Sequence, residues 1–108
     1  MTTFGIDYHG TFSTDIPMFR DLIALLQSRG NTVVIVTGIN DGTAWANEIR
    51  RNVAGAAPIV FANGAWKEEA AKRAGYNVDV WIDDHPEGIR RPTADFIESR
   101  DRYTKEVV

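Results

Sequence analysis

Residues 32–38, TVVIVTG, are the stretch that decides the fold. Residues 33–36 are four consecutive β-branched apolar residues. A strand with one face in water alternates apolar and polar residues, whereas a parallel strand covered on both faces is a continuous apolar run. The stretch therefore predicts a central parallel strand with packed structure on both sides.

Other segments of the chain predict strands and helices in alternation around this strand. Further strands are expected at residues 2–7, 58–61 and 78–82. A helix is expected from Asp15-Ile16-Pro17 to Gly30, because an acid at the N-cap, a proline in the first turn and a closing glycine are typical helix boundaries. Three more helices are expected, one ending near Asn52, one at residues 66–74 and one at residues 93–105.

This alternation predicts an α/β fold. We expect a Rossmann-like three-layer sandwich with a mainly parallel central sheet of four or five strands. The length of 108 residues predicts one domain over residues 1–108. In the second helix, Trp45, Ile49 and Val53 are expected to share one side.

Composition excludes several kinds of protein. Twelve basic and fifteen acidic residues give a net charge of −3, which does not indicate nucleic-acid binding. The absence of cysteine excludes disulfides, thiolate metal sites and cysteine nucleophiles. No apolar run has membrane-spanning length and no secretion signal is visible, so we expect a cytoplasmic protein without a membrane partner.

Polar residues follow the predicted strands. In parallel sheets, ligands bind beyond the carboxyl ends of the strands. Three carboxylates meeting there repel one another unless a cation offsets them. The strand-end residues are Asp7, Thr37, Asn63, Asp83 and Asp84, and Lys67 follows the third strand.

DYHGT at residues 7–11, VVIVTG at 33–38, Lys67, and WIDDHPE at 81–87 are similar to the four motifs of the haloacid-dehalogenase-like (HAD) hydrolase superfamily. The motifs occur in the expected order over most of the chain. The resemblance implies a magnesium-dependent phosphatase or phosphohydrolase, in which Asp7 attacks phosphorus to form an aspartyl-phosphate.

The resemblance also implies roles for the other motif residues. Asp84 would bind Mg²⁺ together with Asp7 and the backbone carbonyl of His9. Asp83 would either support this metal site or pair with Lys67.

The phosphate of the substrate would contact a second group of motif residues. Thr37 and the amide of Gly38 would donate hydrogen bonds to it, and Lys67 would offset its charge. Gly10 would permit a turn that exposes backbone amides to the phosphate.

His9 departs from the family pattern, since phosphatases of this superfamily usually carry an acid–base Asp there. Histidine can carry protons near neutral pH, so His9 is a candidate for the acid–base role. The alternative is a catalytically impaired domain that keeps the fold for binding or regulation. A receiver-type signalling domain is disfavoured because the acidic pair follows the last strand here, and dehalogenation because the motifs favour a metal and a phosphate.

The short connections after the first two strands leave no room for a cap domain. An open site suits a phosphorylated small molecule or macromolecule, or a lid that another subunit of a homo-oligomer supplies.

Other residues are expected to lie outside the catalytic site. Lys72 is the alternative to Lys67, His85 is expected in solvent, Arg90 and Arg91 in a solvated turn, and Trp45, Trp66 and Trp81 in packing or at an entrance.

Overall fold

The computed structural model describes residues 1–92, and in it the TVVIVTG stretch forms a strand that ends at Thr37. The strands are β1 (Thr3–Ile6), β2 (Thr32–Thr37), β3 (Ile59–Phe61) and β4 (Val80–Ile82). The helices are α1 (Ile16–Ser28), α2 (Ala44–Val53) and α3 (Lys67–Arg73), with 3-10 turns at Phe12–Thr14 and Pro86–Gly88. The helix predicted at residues 93–105 lies outside the described residues.

The four strands form one parallel sheet in the order β3-β2-β1-β4. The prediction of an α/β fold with a parallel central sheet is therefore confirmed. Each predicted strand is present and is shorter than expected by one or two residues. Because all strands run the same way, their carboxyl ends lie along one edge of the sheet.

Both faces of the sheet are covered, as the apolar run of β2 predicts. Val33 and Ile35 point into a core shared with Phe19 and Ile23 of α1 and with Ile49 of α2. The intervening residues point the other way. Val34 and Val36 pack with Ala70 and Ala71 of α3. Successive side chains of a strand face opposite sides, so one continuous apolar strand supplies two cores.

Local signals fix the ends of α1 as expected. The Asp15 side chain accepts a hydrogen bond from the Met18 amide at 3.1 Å, and Pro17 lies in the first turn. Gly30 follows the helix with φ of 83°, a left-handed conformation that glycine adopts easily.

The side of α2 that carries Trp45, Ile49 and Val53 is buried over most of its length but not at its first turn. Ile49 and Val53 are fully buried, but Trp45 is 56% exposed and Ala46 is buried in its place. Trp45 lies in the first turn of α2, where the core does not cover it.

Among residues 1–92, no helix combines the length and the apolar character needed to cross a membrane.

Candidate active site at the carboxyl edge of the sheet

Asp7 directly follows β1, which is flanked by β2 and β4. Its amide donates to the carbonyl of Ile82 at 2.9 Å, so the backbone after β1 is fixed beside the end of β4. Asp83 and Asp84 follow Ile82 directly. The sheet topology therefore brings together acids that are more than seventy residues apart in the chain.

Lys67 is the first residue of α3, and its ammonium group bridges two of these acids. Nζ donates to Oδ1 of Asp7 at 2.8 Å and to Oδ2 of Asp83 at 2.7 Å. The side chains of Lys67, Asp7 and Asp83 are only 11%, 7% and 1% exposed. Burial lowers the pKa of Lys67, but the bonds to the two aspartates outweigh it and the net shift is upward. Lys67 is thus held as a cation.

Lys72 shares α3 with Lys67 but not its environment. Its side chain is 59% exposed and lies 3.7 Å from Glu68, one turn earlier. The structure therefore distinguishes two lysines that were alternatives in the sequence, and only Lys67 contacts the strand-end acids.

One carboxylate oxygen from each of Asp7, Asp83 and Asp84 lies within 4.8 Å of the others. Burial raises the pKa of Asp7, with Lys67 opposing the shift, whereas a hydrogen bond with Asp7 lowers the pKa of Asp84. One oxygen of Asp7 lies within 4.8 Å of one oxygen of Asp84, and two ionised carboxylates at that separation repel. The oxygen donors and the excess negative charge fit a hard divalent cation.

Asp83 and Asp84 differ in the use of their oxygens. Oδ2 of Asp83 accepts from Lys67, and Oδ1 accepts from the His85 amide at 2.8 Å. Asp84 is exposed and its carboxylate contacts Thr11 at 3.4 Å. Of the two roles expected for Asp83, the geometry favours pairing with Lys67, which leaves Asp84 as the acid available to a cation.

Thr11 is a site residue that the sequence interpretation missed. Its Oγ1 lies 3.4 Å from Oδ2 of Asp7 and 3.4 Å from Oδ1 of Asp84, and accepts from the Asp84 amide at 3.3 Å. The hydroxyl thus connects the loops after β1 and β4. Its place in the DYHGT motif was the available signal.

Gly10 permits the close approach of these loops. Its φ is 80°, and a Cβ atom there would collide with the carboxylate of Asp84. Its own amide donates to Oγ of Ser13 at 3.1 Å, so this amide is engaged within the turn. The 3-10 turn beginning at Phe12 brings Ser13 back over the glycine.

A cavity of about 290 Å³ opens over these residues. Thr37 is buried, and its Oγ1 accepts from the Ile39 amide at 3.2 Å, which leaves the hydroxyl hydrogen free to donate. The residues lining the cavity are Asp7, His9, Thr37, Gly38, Ile39, Lys67, Asp84 and His85. The structure therefore brings most of the predicted site residues around one opening.

The two histidines of the sequence line this cavity differently. The ring of His9 is partly buried and lies edge-on to the rings of Tyr8 and Trp45, at 4.9 Å and 5.1 Å between centroids. The side chain of His85 is 75% exposed and lies 3.1 Å from Glu87. For a role in the cavity, His9 is better positioned than His85, because Tyr8 and Trp45 contact its ring and fix it.

Other candidates lie away from this opening. Oδ1 of Asn63 accepts from the Asp41 amide at 2.8 Å, so this strand-end residue stabilises a loop. Arg90 and Arg91 pair with Glu68 and Glu69 on α3.

Trp66 and Trp81 are partly buried, and Trp81 packs in the α3 core.

Comparisons of the chain with protein-family models, with curated proteins and with solved structures find no match. The function is therefore inferred from the geometry of the site and from the motif resemblance.

Proposed function

We propose that the protein is a magnesium-dependent phosphatase that acts through an aspartyl-phosphate on Asp7. The observation that carries this proposal is the buried Lys67 ammonium, held between Asp7 and Asp83 at 2.8 and 2.7 Å beside the cavity. A buried, charge-compensated carboxylate at an open cavity is costly for stability and suits a nucleophile. The resemblance of the motifs to the HAD superfamily, with its Rossmann-like fold, supports the same chemistry.

Asp7 and Asp84, with the backbone carbonyl of His9, would hold Mg²⁺. Asp83 is the weaker candidate ligand, since both of its oxygens already accept hydrogen bonds. When bound, the ion supplies positive charge that offsets the phosphoryl oxygens and the carboxylates.

The nucleophilic step belongs to Asp7. A carboxylate oxygen forms a bond to phosphorus as the bond from phosphorus to the leaving oxygen breaks, and the leaving oxygen takes a proton from His9. Water then attacks the aspartyl-phosphate, His9 accepts its proton, and inorganic phosphate leaves with Asp7 regenerated. Lys67 holds the unreacting part of the Asp7 carboxylate and lowers the charge that the phosphate meets.

The phosphoryl group is bound by donors on the opposite wall of the cavity. The free hydroxyl hydrogen of Thr37 and the amide of Gly38 lie at the end of β2, which neighbours β1. Donors fixed by a rigid sheet stabilise developing charge without reorganisation.

The direct test is Mg²⁺-dependent release of phosphate from 4-nitrophenyl phosphate. Asp7→Asn is expected to abolish turnover, because an amide cannot form the aspartyl-phosphate, whereas Asp21→Asn at an exposed position of α1 is the matched control. Turnover retained in Asp7→Asn, or lost equally in both variants, would contradict the proposal. Chelation of the metal is expected to stop the reaction in the wild type.

The alternative, an impaired domain used for binding or regulation, is favoured by His9 in place of the usual Asp. His9→Asp separates the two functions. If His9 is the acid–base group, we expect its replacement by Asp to shift the pH profile of kcat and to lower kcat at the pH optimum of the wild type, since a carboxyl group titrates below an imidazole. An inactive wild type that gains activity through His9→Asp would support the impaired domain.

A further inference from the structure

β3 forms one edge of the sheet, and its outer side is open within residues 1–92. In the strand order β3-β2-β1-β4, it pairs with β2 alone. The carbonyl of Pro58 and the amide of Ala62, which flank β3, each bond to β2 at 2.8 Å. Because alternate residues of an edge strand direct their backbone groups to opposite sides, the amides and carbonyls of Ile59 and Phe61 point away from the sheet.

A cavity of about 490 Å³ lies along this open edge. It is larger than the cavity of about 290 Å³ over Asp7. Ala70, Arg73 and Ala74 of α3 line it together with the residues of β3. The small alanine side chains leave space beside the strand, so the edge offers both backbone hydrogen bonds and room for another strand.

The cavity carries opposite charges at its two ends. Asp41 lies at the carboxyl end of β3, since its amide donates to Oδ1 of Asn63 just beyond the strand. α3 begins with Lys67 at this same edge of the sheet and runs away from it. Arg73, at the other end of α3, therefore lies toward the amino end of β3.

Both charged side chains have bonding capacity left. Arg73 is exposed and forms no ion pair with another of the described residues. The Asp41 side chain accepts from Arg50 at 2.7 Å and from the Gly42 amide at 2.8 Å, and both bonds go to Oδ1. Oδ2 of Asp41 can therefore accept from a cation outside this chain.

We infer that β3 pairs in the antiparallel direction with β3 of a second copy of this chain. A two-fold axis beside Val60 places Ile59 of one copy opposite Phe61 of the other, and two residues in this position exchange two hydrogen bonds. The same rotation brings the amino end of one strand to the carboxyl end of the other. Arg73 of each copy then faces Asp41 of the partner subunit, so the two ends of the cavity are complementary.

The distribution of charge decides the direction of the pairing. Parallel pairing of the two copies brings like ends together and leaves Arg73 facing Arg73. β3 contributes only three residues, so the side chains along the cavity must supply much of the contact. An interface of this kind is small, and we expect a reversible dimer whose population rises with concentration.

Sedimentation equilibrium from micromolar to millimolar protein tests the interface. Arg73→Glu is expected to raise the dissociation constant of the dimer roughly 10-fold or more, because two opposite-charge contacts become two like-charge contacts. Lys72→Glu is the matched control, since it reverses the same charge one residue earlier on α3, outside the cavity. It is expected to leave the dissociation constant unchanged.

Mixing two variants tests which residues meet across the interface. Asp41→Lys is also expected to weaken the dimer. An equimolar mixture of Arg73→Glu and Asp41→Lys is expected to associate about as tightly as the wild type, because both contacts again join opposite charges. Thermal melting verifies that each variant is folded.

Three sedimentation results would overturn the inference. They are a wild type that stays monomeric over the whole range, equal effects of Arg73→Glu and Lys72→Glu, and a mixture that associates no better than the separate variants.

Amide hydrogen exchange of the wild type needs no substitution. The amides of Ile59 and Phe61 are expected to exchange more slowly above the dissociation constant than below it, whereas the Ala62 amide, already bonded to β2, should change little. Unchanged exchange at Ile59 and Phe61 in a dimer would show that the copies meet at another surface, and would also overturn the inference.

Discussion

Two regions of the molecule pair a cationic side chain with a carboxylate at similar distances, yet the pairs differ in their exposure to solvent. Arg50 of α2 donates to Asp41 at 2.7 Å, with 47% and 49% of the two side chains exposed. Lys67 donates to Asp7 at 2.8 Å, with 11% and 7% exposed. Distance alone therefore does not identify a functional ion pair.

The difference lies in desolvation. A pair in water interacts weakly, because the solvent screens both charges. In the buried pair every charge has lost water, so each one depends on its partner. Lys67 contacts two of the three acids and the third, Asp84, lies close by, so this edge of the sheet carries unbalanced negative charge, which a binding site for a cation would explain.

The largest effect is expected from Lys67→Met. The substitution leaves the buried Asp7 carboxylate without its counter-charge, so the free energy of unfolding should fall by about 3 kcal/mol. Lys72→Met, on the same helix but 59% exposed, should change it by no more than about 0.5 kcal/mol. Urea denaturation in the presence of EDTA measures both values. Equal losses in the two variants would remove the contrast between the two regions.

The next effect is steric. Gly10→Ala should lower the free energy of unfolding by about 2 kcal/mol, since it combines a strained left-handed backbone with a collision at Asp84. Gly42 has a similar φ of 83°, and a Cβ atom added there would meet nothing within 4 Å, so Gly42→Ala isolates the backbone cost of about 1 kcal/mol. Thermal unfolding of both variants tests the difference. Identical values would show that the loops after β1 and β4 can separate freely.

Asp7→Asn should stabilise the metal-free protein by about 1 kcal/mol, because it removes one of the crowded charges. Burial raises the pKa of Asp7 above 3.8, so the folded state binds this proton more tightly than the unfolded state does. The contribution of Asp7 to the free energy of unfolding of the wild type is therefore fully present below pH 3.8 and is lost as pH rises through the raised pKa of Asp7. The advantage of Asp7→Asn should widen from pH 4 to pH 7 in thermal melts with EDTA. A constant difference would contradict this assignment.

The smallest effect is expected from Arg50→Met. Its hydrogen bond lowers the pKa of Asp41, so the stabilisation is present at neutral pH and is lost as pH falls below 3.8. In the wild type the guanidinium also lies 4.7 Å from the centre of the Phe61 ring. The Met side chain is expected to keep part of the packing on this ring. Melting temperatures at low and high salt measure how much the ion pair between Arg50 and Asp41 contributes to stability. The difference between wild type and variant should shrink in high salt. A loss as large as that of Lys67→Met would show that exposure does not separate the two regions.

Much of the fold was predictable because its signals are local. The run Val33–Val36 predicts a strand covered on both faces, and Asp15 with Pro17 predicts where α1 begins. Such patterns depend on residues a few positions apart. The exposure of Trp45 was not predictable in this way, since helical spacing says which side a residue faces but not whether the core extends that far.

The candidate site was predictable as a set of residues but not as a geometry. The rule that parallel strands end at one edge brings Asp7, Thr37 and Asp84 together. The same rule does not say that Thr11 contacts both Asp7 and Asp84, contacts that span 4 and 73 residues of the chain. The catalytic roles of these residues stay predictions.

The sequence by itself determined the alternation of strands and helices, the buried character of β2 and the presence of acids at the strand ends. Only the tertiary structure decided that Lys67, and not Lys72, contacts those acids. It also decided that both oxygens of Asp83 accept hydrogen bonds while Asp84 is exposed, and that Trp45 is exposed beside His9. The physical reason is that periodicity and capping act between neighbours in the chain. Charge pairing and burial act between neighbours in space, and strand order determines which residues these are.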